Sequence, residues 1–203
     1  MDYDQTWWER RWQEALRTHG DRLAQKPPNP HLVEALTGHP PGRALDAGCG
    51  HGAETLWLAG HGWEVTAVDF SVSALTQGRA LAEAAGFSPR VTWLEGDLSS
   101  WRPAPGHFDL VLGLHVHIAG DVDEWVRRMA EGVAPGGQLL LVGHQPRDPS
   151  TGAPTAAAGQ VQVSVAAARA ALDATRWTWL VAEERPRTTL SGVDAVLHAR
   201  KLG

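Results

Sequence analysis

The chain carries one stretch, Ala44-Leu45-Asp46-Ala47-Gly48-Cys49-Gly50-His51-Gly52, from which the order of its first elements can be predicted. A short strand over 43–47 opens into a Gly-x-Gly-x-Gly turn and continues as a helical pattern over 52–60. This order brings a ligand to a helix N-terminus, where backbone N–H groups lack intrahelical partners. Glycine suits the turn because a backbone without a Cβ can bend sharply and approach a ligand closely.

A second predicted strand, residues 63–69, ends in an acidic residue, Asp69. This acid follows the glycines by roughly 20 residues, where nucleotide-binding sheets hold the ribose hydroxyls. A glycine turn alone is a weak signal, and the acid at the end of the next strand strengthens it. The two features together predict a site for a ribose-containing ligand.

The sequence Leu-Asp-Ala-Gly-Cys-Gly-x-Gly resembles motif I of class I S-adenosylmethionine (SAM) dependent methyltransferases. It differs from the dehydrogenase pattern Gly-x-Gly-x-x-Gly because Gly52 comes one residue early. The resemblance implies SAM as cofactor and S-adenosylhomocysteine as product, with the loop around the methionine part and the acid on the ribose. The cofactor-binding residues that it implies are Asp46, Gly48, Cys49, Gly50, Asp69 and Phe70.

The residues that follow the third and fourth predicted strands also resemble motifs of this family. The third predicted strand, 90–95, leads to Gly96-Asp97-Leu98, which resembles the adenine-contact motif of the family. Asp97 would accept from the adenine amino group, and Leu98 would flank the ring. The fourth strand, 108–113, is followed by Leu114, at an exit that contacts the methyl donor and the acceptor in this family.

Trp8, Trp12 and Leu16 recur every four residues in a predicted helix over 4–16, so they share one face. The Trp-x-x-x-Trp spacing resembles the N-terminal helix of thiopurine, thiol and halide methyltransferases and of tellurite-resistance methyltransferases. There the segment is a lid over SAM, which implies that Trp8 and Trp12 cover the cofactor. The alternative is that this stripe of three apolar side chains, Trp8, Trp12 and Leu16, only packs the helix against the protein core.

From residue 43 onward strand and helix patterns alternate, which predicts parallel strands with right-handed crossovers. We expect an α/β, Rossmann-like sheet of seven mostly parallel strands, with helices on both faces and an antiparallel last strand. We expect one domain, 1–203, composed of an N-terminal helical lid, a cofactor-binding core and a closing part with lid loop, helix and hairpin. The three parts cover residues 1–42, 43–143 and 144–203, and the segment 145–162 is expected to be a mobile lid or partly disordered.

Composition narrows the classes of partner. The chain has 203 residues, 43% hydrophobic, with a net charge of −5, so a phosphate-binding basic surface and a nucleic-acid substrate are not expected. No apolar run has the length of a membrane span, and no signal peptide is recognisable at the N-terminus. The single cysteine allows no internal disulfide, which is consistent with the cytoplasm. We expect a monomer or homodimer.

Three histidines fall at predicted strand exits: His115, His117 and His144. Each could act as a base near neutral pH, with His115 the best candidate, or each could merely line the pocket. We predict no metal site, because no cysteine or closely placed carboxylate completes a zinc signature. A fourth histidine, His51 in the glycine turn, is expected to be exposed.

The predicted function is SAM-dependent methyl transfer to a small-molecule acceptor at S, O or N. The transfer is an in-line substitution in which alignment of acceptor and methyl group is the main requirement. One alternative is a non-methylating SAM-binding enzyme on the same fold, such as a cyclase or isomerase. Another is a binding or regulatory protein with a vestigial pocket; a nucleotide-dependent oxidoreductase is disfavoured by the glycine spacing.

Overall fold

The computed structural model describes residues 4–118, 120–147, 151–154, 162–187 and 192–203. Its helices are α1 (Gln5–Ala24), α2 (Pro30–Leu36), α3 (Ala53–Gly60), α4 (Val72–Ala84), α5 (Val122–Glu131) and α6 (Val165–Ala171), with a 3-10 turn at Ser88–Arg90. Its strands are β1 (Arg43–Ala47), β2 (Glu64–Asp69), β3 (Val91–Glu95), β4 (Phe108–Leu114), β5 (Val133–His144), β6 (Trp177–Pro186) and β7 (Val193–Lys201). None of the described helices combines the length and the apolar character needed to cross a membrane.

The seven strands are hydrogen-bonded in the order β3-β2-β1-β4-β5-β7-β6. The pairs β1–β2, β2–β3 and β4–β5 are parallel, whereas β7 runs antiparallel to both β5 and β6. The predicted seven-stranded, mostly parallel sheet with an antiparallel last strand is therefore confirmed. The chain divides into two compact units, Met1–Trp101 and Arg102–Gly203.

The first unit is built on β1 and β2, which pair in parallel with Leu45 opposite Thr66. Leu45 and Val68 are fully buried, and Leu75 of α4 is buried as well. Near-continuous burial along β1 and β2 is typical of parallel strands covered on both faces. This core fixes the carboxyl ends of the two strands, where the glycine turn and Asp69 lie.

The second unit is built on β4, β5 and β7. Leu112, Leu140 and Leu197 are buried on these strands, and Trp125 of α5 is buried in the same unit. The antiparallel register of β5 and β7 sets His144 opposite Asp194. One end of this strand pair therefore carries an acid beside a histidine.

Three elements differ from the sequence-based prediction by more than a residue or two at one end. Helix α1 extends to Ala24 instead of ending at residue 16, and it continues through non-helical backbone at His19. The sequence Val133-Ala134-Pro135-Gly136-Gly137 predicts a turn before the fifth strand, but β5 already begins at Val133, and its pairing with β4 is irregular between Val133 and Gln138. The alanine-rich sequence predicts a helix over 164–175, but α6 ends at Ala171, and Leu172 adopts an extended conformation. Much of the expected lid, 145–162, lies outside the described residues.

Candidate active site

The glycine turn and the acid at the end of β2 lie against each other in the first unit. The backbone N–H of Gly50 donates to Oδ2 of Asp69 over 2.9 Å, and that of Gly48 donates to the Val68 carbonyl over 2.8 Å. Gly48, Gly50 and Gly52 have φ angles of 80°, 54° and 87°, a region that residues with side chains rarely adopt. The glycines therefore permit the turn that brings the end of β1 beside the end of β2.

The carboxylate of Asp69 is buried and held by backbone groups. Asp69 is 6% exposed, and its Oδ1 accepts from the N–H of Ser71 over 2.9 Å. Burial raises the pKa of Asp69 above its ordinary value, and the N–H groups of Ser71 and Gly50 oppose that shift. The N–H of Phe70 opposes it as well, and because a carboxylate offers about four lone-pair directions, three N–H groups leave acceptor capacity for one further donor.

Asp46, at the end of β1, is buried beneath the same turn. Its Oδ2 accepts a 2.6 Å hydrogen bond from the hydroxyl of Thr55 in α3. Burial, reinforced by the nearby charge of Glu54, raises the pKa of Asp46 to about 7. The carboxyl group therefore fastens the first turn of α3 to the end of β1.

Two further residues of the turn point inward. Cys49 packs against Ala67 and Leu75, and burial raises the pKa of its thiol well above the ordinary value. A thiol kept protonated is a poor nucleophile. His51 is 3% exposed, so the expectation that it is exposed was wrong. Helix α1 extends further than predicted, and the Leu23 carbonyl in its last turn bonds to Nε2 of His51 over 2.9 Å.

The exit of β3 lies next to that of β2. The N–H of Gly96 donates to the carbonyl of Asp69 over 3.0 Å. Asp97 follows on the surface, with its Oδ1 accepting from the N–H of Ser99 over 2.8 Å, and Leu98 is buried. The structure thus brings the predicted pair Asp97 and Leu98 to the same strand ends as Asp69.

Helix α1 is anchored to the loop that follows β2. The carboxylate of Glu9 accepts from the hydroxyls of Ser71 over 2.6 Å and Ser73 over 2.5 Å. The side-chain amide of Gln5 donates to the carbonyl of Phe70 over 3.1 Å. These bonds hold α1 across the loop that leaves Asp69.

The two predicted tryptophans of α1 differ in their surroundings. The indole of Trp12 lies so close to Gly50 that a Cβ added at Gly50 would be 2.6 Å from Cζ2 of Trp12. The ring of Trp8 packs edge-on against Trp7, with centroids 4.8 Å apart. Trp12 is therefore the residue of the stripe that covers the glycine turn.

The three predicted histidines lie together in the second unit. His115 follows β4 and His144 ends β5, and their rings stack with centroids 3.7 Å apart and an interplanar angle of 26°. His117 shares a 2.9 Å hydrogen bond with Nε2 of Gln162. The Oε1 of Gln162 accepts from the backbone N–H of His144 over 2.7 Å. Leu114, the last residue of β4, pairs with Val142 in this unit.

The backbone of His115 is strained. Its φ of 58° is the only positive value at a non-glycine position among the described residues. Its N–H donates to the carbonyl of Val142 over 2.7 Å, so the conformation is held by β5. Such outliers cost about 1–3 kcal/mol and concentrate at functional sites.

Two partners of His144 were missed from the sequence. Nδ1 of His144 lies 2.8 Å from Oδ1 of Asp194, and Nε of Arg187 donates to the same oxygen over 2.8 Å. A terminal nitrogen of Arg187 also contacts Nδ1 of His144. Burial raises the pKa of Asp194, but the hydrogen bonds from His144 and Arg187 outweigh it and hold the pKa below its ordinary value.

The sequence did carry a signal for one of these partners. Asp194 is an acid in an otherwise apolar run, Val193-Asp194-Ala195-Val196-Leu197, and antiparallel pairing of the last strand with β5 sets it opposite His144. Within the described ranges, His115, His144 and Asp194 are also the group that could hold a metal ion, with one ligand atom from each within 4.8 Å of the others.

Comparisons with known proteins agree with this geometry. Residues 44–137 match a family described as a methyltransferase domain. The chain is 37% identical over 123 residues to the ribosomal RNA small subunit methyltransferase C of Alcanivorax borkumensis, covering 56% of this chain and 37% of that protein. It is 32% identical over 153 residues to thiocyanate methyltransferase 1 of Brassica oleracea, covering 72% of this chain and 65% of that protein. The chain thus spans less than two thirds of the length of either relative.

A solved structure has the same fold. The 1,6-didemethyltoxoflavin-N1-methyltransferase of Burkholderia thailandensis, with bound 1,6-didemethyltoxoflavin and S-adenosylhomocysteine, matches with a TM-score of 0.70 at 19% identity. The match covers 98% of this chain and 87% of that one. The motifs and these sequence matches support a class I SAM-dependent methyltransferase with SAM as the cofactor, and the solved structure shows the same fold.

Proposed function

We propose that the protein transfers a methyl group from SAM to a small-molecule acceptor at sulfur, oxygen or nitrogen. The observation that carries the proposal is the 2.9 Å hydrogen bond from the N–H of Gly50 to the carboxylate of Asp69. It joins the glycine turn of β1 to the acid of β2, the two features that the ribose and the methionine part of SAM require.

The ribose fits the acceptor capacity of Asp69. Its two oxygens each take one backbone N–H bond, from Gly50 and Ser71. The N–H of Phe70 also bonds to this carboxylate, so about one of its four lone-pair directions stays open to a ribose hydroxyl. The backbone bonds also fix the orientation of the carboxylate before the cofactor arrives, which reduces the entropic cost of binding.

The other residues of the first unit have distinct roles in the proposal. Gly48, Gly50 and the inward-packed Cys49 form the turn around the methionine part, and Asp46 supports it through Thr55. Asp97 accepts from the adenine amino group, and Leu98 with Phe70 flanks the ring. Leu114, in the second unit, is proposed as a further cofactor contact.

Helix α1 is proposed to be a lid over the cofactor. It is fastened by Glu9 to Ser71, the N-cap of α4, and to Ser73 in the first turn of α4, and it places Trp12 on the glycine turn. An aromatic ring over the turn would exclude water from the sulfonium and strengthen its electrostatic interactions. Trp8 is proposed to cover the cofactor from the preceding turn of the same helix.

SAM, when bound, supplies an electrophilic methyl group attached to a sulfonium sulfur. After the transfer, this sulfur belongs to the neutral thioether of S-adenosylhomocysteine. The residues of the chain have to hold the cofactor and align the acceptor at about 3–3.5 Å from that methyl group. The carboxylate of Asp69 and the turn of Gly48 and Gly50 serve the first task. The histidines of the second unit are proposed to serve the acceptor.

A small-molecule acceptor is favoured over RNA. The relative from Alcanivorax borkumensis is named for ribosomal RNA, but the net charge of this chain is −5. Proteins that bind nucleic acid use clustered lysine and arginine to neutralise phosphates. A monomer or homodimer in the cytoplasm completes the proposal, the single cysteine being compatible with a reducing compartment.

Calorimetry with SAM and with S-adenosylhomocysteine tests the proposal, with the exposed His61→Gln variant as a matched control. We expect both ligands to bind the wild type and H61Q equally. Absence of heat with either ligand at millimolar concentration would refute the cofactor site. Binding of SAM without S-adenosylhomocysteine formation, in the presence of a panel of thiols, phenols, amines and thiocyanate, would favour the non-methylating alternative.

A further inference from the structure

Four carboxylates surround the glycine turn of the first unit. Asp46 ends β1, Asp69 ends β2, Glu54 lies in the first turn of α3, and Glu9 lies on α1. Asp46 and Asp69 are buried, and Glu9 and Glu54 are half-buried. Burial is the main cause of the raised pKa values of Asp46 and Asp69, and neighbouring carboxylates add to it: Glu54 and Asp69 act on Asp46, and Glu9 acts on Asp69. The four groups therefore belong to one electrostatic cluster.

The two buried carboxylates accept hydrogen bonds from neutral donors. Asp46 accepts from the hydroxyl and the backbone N–H of Thr55, and Asp69 accepts from three backbone N–H groups. In the part of the chain that the structure describes, no lysine or arginine pairs with either acid. A neutral donor stabilises an anion without cancelling its charge, so both acids keep their negative charge when ionised.

The two half-buried carboxylates also have neutral donors. Glu9 accepts from the hydroxyls of two serines at the start of α4 and from the side-chain amide of Gln13 over 3.0 Å. Burial raises the pKa of Glu9, but these hydrogen bonds outweigh it and hold the pKa below its ordinary value, so the group stays ionised. Glu54 accepts from the backbone N–H of Asn29 over 3.1 Å. Over the described ranges, neither acid forms an ion pair.

Positive groups close to the turn leave this charge largely uncancelled. Burial and the charge of Lys26 lower the pKa of His51 in the turn, so this histidine is neutral above about pH 7. Lys26 itself is exposed, where solvent and salt screen its charge. The N-termini of α3 and α4 each carry only about half an elementary charge. The glycine turn therefore lies in a region of net negative charge.

SAM and S-adenosylhomocysteine differ in the charge of the sulfur. Both contain adenosine and a zwitterionic amino-acid group, but the sulfonium gives SAM one additional positive charge, whereas the thioether leaves the product neutral. Two unit charges about 10 Å apart, at an effective dielectric constant of about 20, change an affinity by roughly tenfold. Carboxylates around the turn can therefore distinguish the two molecules without touching the sulfur.

We propose that the four carboxylates select SAM over S-adenosylhomocysteine by charge, and that Glu9 and Glu54 are specificity-determining residues for this choice. The inference rests on the proposed methyltransferase function, in which the glycine turn surrounds the methionine part of the cofactor. Methyl transfer removes the positive charge of the sulfur, so the product loses an attraction that held SAM. Fresh SAM then displaces the product readily, and inhibition by the product is weak.

The first experiment separates the charge of the ligand from its methyl group. Calorimetry on the full chain at about pH 8, above the pKa of about 7 that burial gives Asp46, compares SAM, S-adenosylhomocysteine and sinefungin. Sinefungin has a protonated amine in place of the sulfonium. We expect SAM and sinefungin to bind about tenfold or more tightly than S-adenosylhomocysteine. The inference is overturned if S-adenosylhomocysteine binds as tightly as SAM, or if sinefungin binds only as weakly as S-adenosylhomocysteine.

The second experiment removes one charge at a time. Glu9→Gln and Glu54→Gln should each lower the ratio of SAM to S-adenosylhomocysteine affinity by about threefold, and the double variant by about tenfold, because both groups are only half-buried and partly screened. The ratio is the informative quantity, since a looser α1 would weaken both ligands alike and leave it unchanged. An unchanged ratio in the double variant would overturn the inference.

Glu64→Gln is the matched control. Glu64 is an exposed acid at the first position of β2, the strand that ends in Asp69, and five residues of strand place it about 16 Å from that end. The E64Q variant should keep the wild-type ratio. A fall in E64Q equal to that in E9Q would show that net charge, and not the cluster at the turn, sets the preference.

Failure of the inference and failure of the proposed function give different results. If neither SAM nor S-adenosylhomocysteine binds the wild type, the cofactor site is refuted, and the inference with it. If both bind with equal affinity, the cofactor site stands and only selection by charge is refuted.

Discussion

The N–H of Gly50 donates to the carboxylate of Asp69 over 2.9 Å, so the glycine turn and the acid at the end of the neighbouring strand form one hydrogen-bonded unit. Gly50 can take part because its φ of 54° turns the N–H toward β2. Asp69 thereby supports the turn, and we propose that it also accepts a hydrogen bond from the ribose of SAM.

Removal of the Asp69 carboxylate should therefore weaken cofactor binding. In Asp69→Ala we expect SAM affinity to fall well over tenfold, since a hydrogen bond to a charged group is worth about 1.5–3 kcal/mol. Isothermal titration of wild type and variant measures the change. Asp69→Asn is the companion variant: it keeps an oxygen for the Gly50 N–H but loses the charge. An unchanged SAM affinity in D69A would show that the ribose is held elsewhere.

Gly50 should be intolerant of any side chain for two separable reasons. In Gly50→Ala a Cβ would lie 2.6 Å from Cζ2 of Trp12, and the left-handed backbone costs an alanine about 1–2 kcal/mol. We expect a lower free energy of unfolding in urea, and a displaced Trp12 with altered tryptophan fluorescence.

The double variant G50A with Trp12→Ala separates the two causes. It removes the overlap but leaves the backbone strain. The cost of G50A measured in the W12A background should therefore be smaller than in the wild type, but not zero. Equal costs in both backgrounds would mean that Trp12 does not pack on the turn.

The fold was predictable because its signals are local. Apolar runs ending in Asp46 and Asp69, separated by a glycine turn and a helical pattern, require a parallel strand pair whatever lies elsewhere in the chain. The antiparallel last strand was implied by the resemblance of residues 193–200 to the last strand of the family. Boundaries were less predictable: α1 passes residue 16 because its last turn docks on His51, and no local propensity reports such a contact.

The candidate sites were only partly predictable, for a related reason. Asp69 and His144 could be found because each ends a predicted strand. Arg187 and Glu9 become partners only through contacts that span 7 and 62 residues of the chain, to Asp194 and Ser71 respectively. Pairing between side chains of different elements leaves no periodic pattern in the sequence.

The attachment of α1 should depend on Glu9. In Glu9→Gln the hydrogen bonds to Ser71 and Ser73 lose their charged acceptor, and α1 should open more often. We expect faster amide hydrogen exchange over residues 5–24 and faster tryptic cleavage at the arginines of α1. Glu14→Gln is the matched control, because the carboxylate of Glu14 lies on the same helix and pairs with Arg17 of that helix. Equal effects in E9Q and E14Q would show that Glu9 does not hold the helix in place.

The free energy of unfolding should depend on pH through the carboxyl group of Asp46. Burial raises the pKa of this carboxyl group to about 7 in the folded state, whereas an unfolded aspartate ionises near 3.9. Between these values the folded state binds more protons than the unfolded state, so Asp46 lowers the free energy of unfolding as the pH rises. The slope is at most about 1.4 kcal/mol per pH unit, and it levels off above the folded pKa.

Asp46→Asn should remove this contribution, because asparagine does not titrate. Urea unfolding of wild type and D46N at intervals from about pH 5 to about pH 8 should show D46N gaining stability relative to the wild type as the pH rises, up to about pH 7. The variant Asp21→Asn removes an exposed carboxylate of α1 and should leave the pH profile parallel to that of the wild type. Parallel profiles for D46N as well would mean that Asp46 is ionised in the folded protein throughout this range. The Thr55 hydroxyl, which donates to Oδ2 over 2.6 Å, would then be stabilising a buried anion.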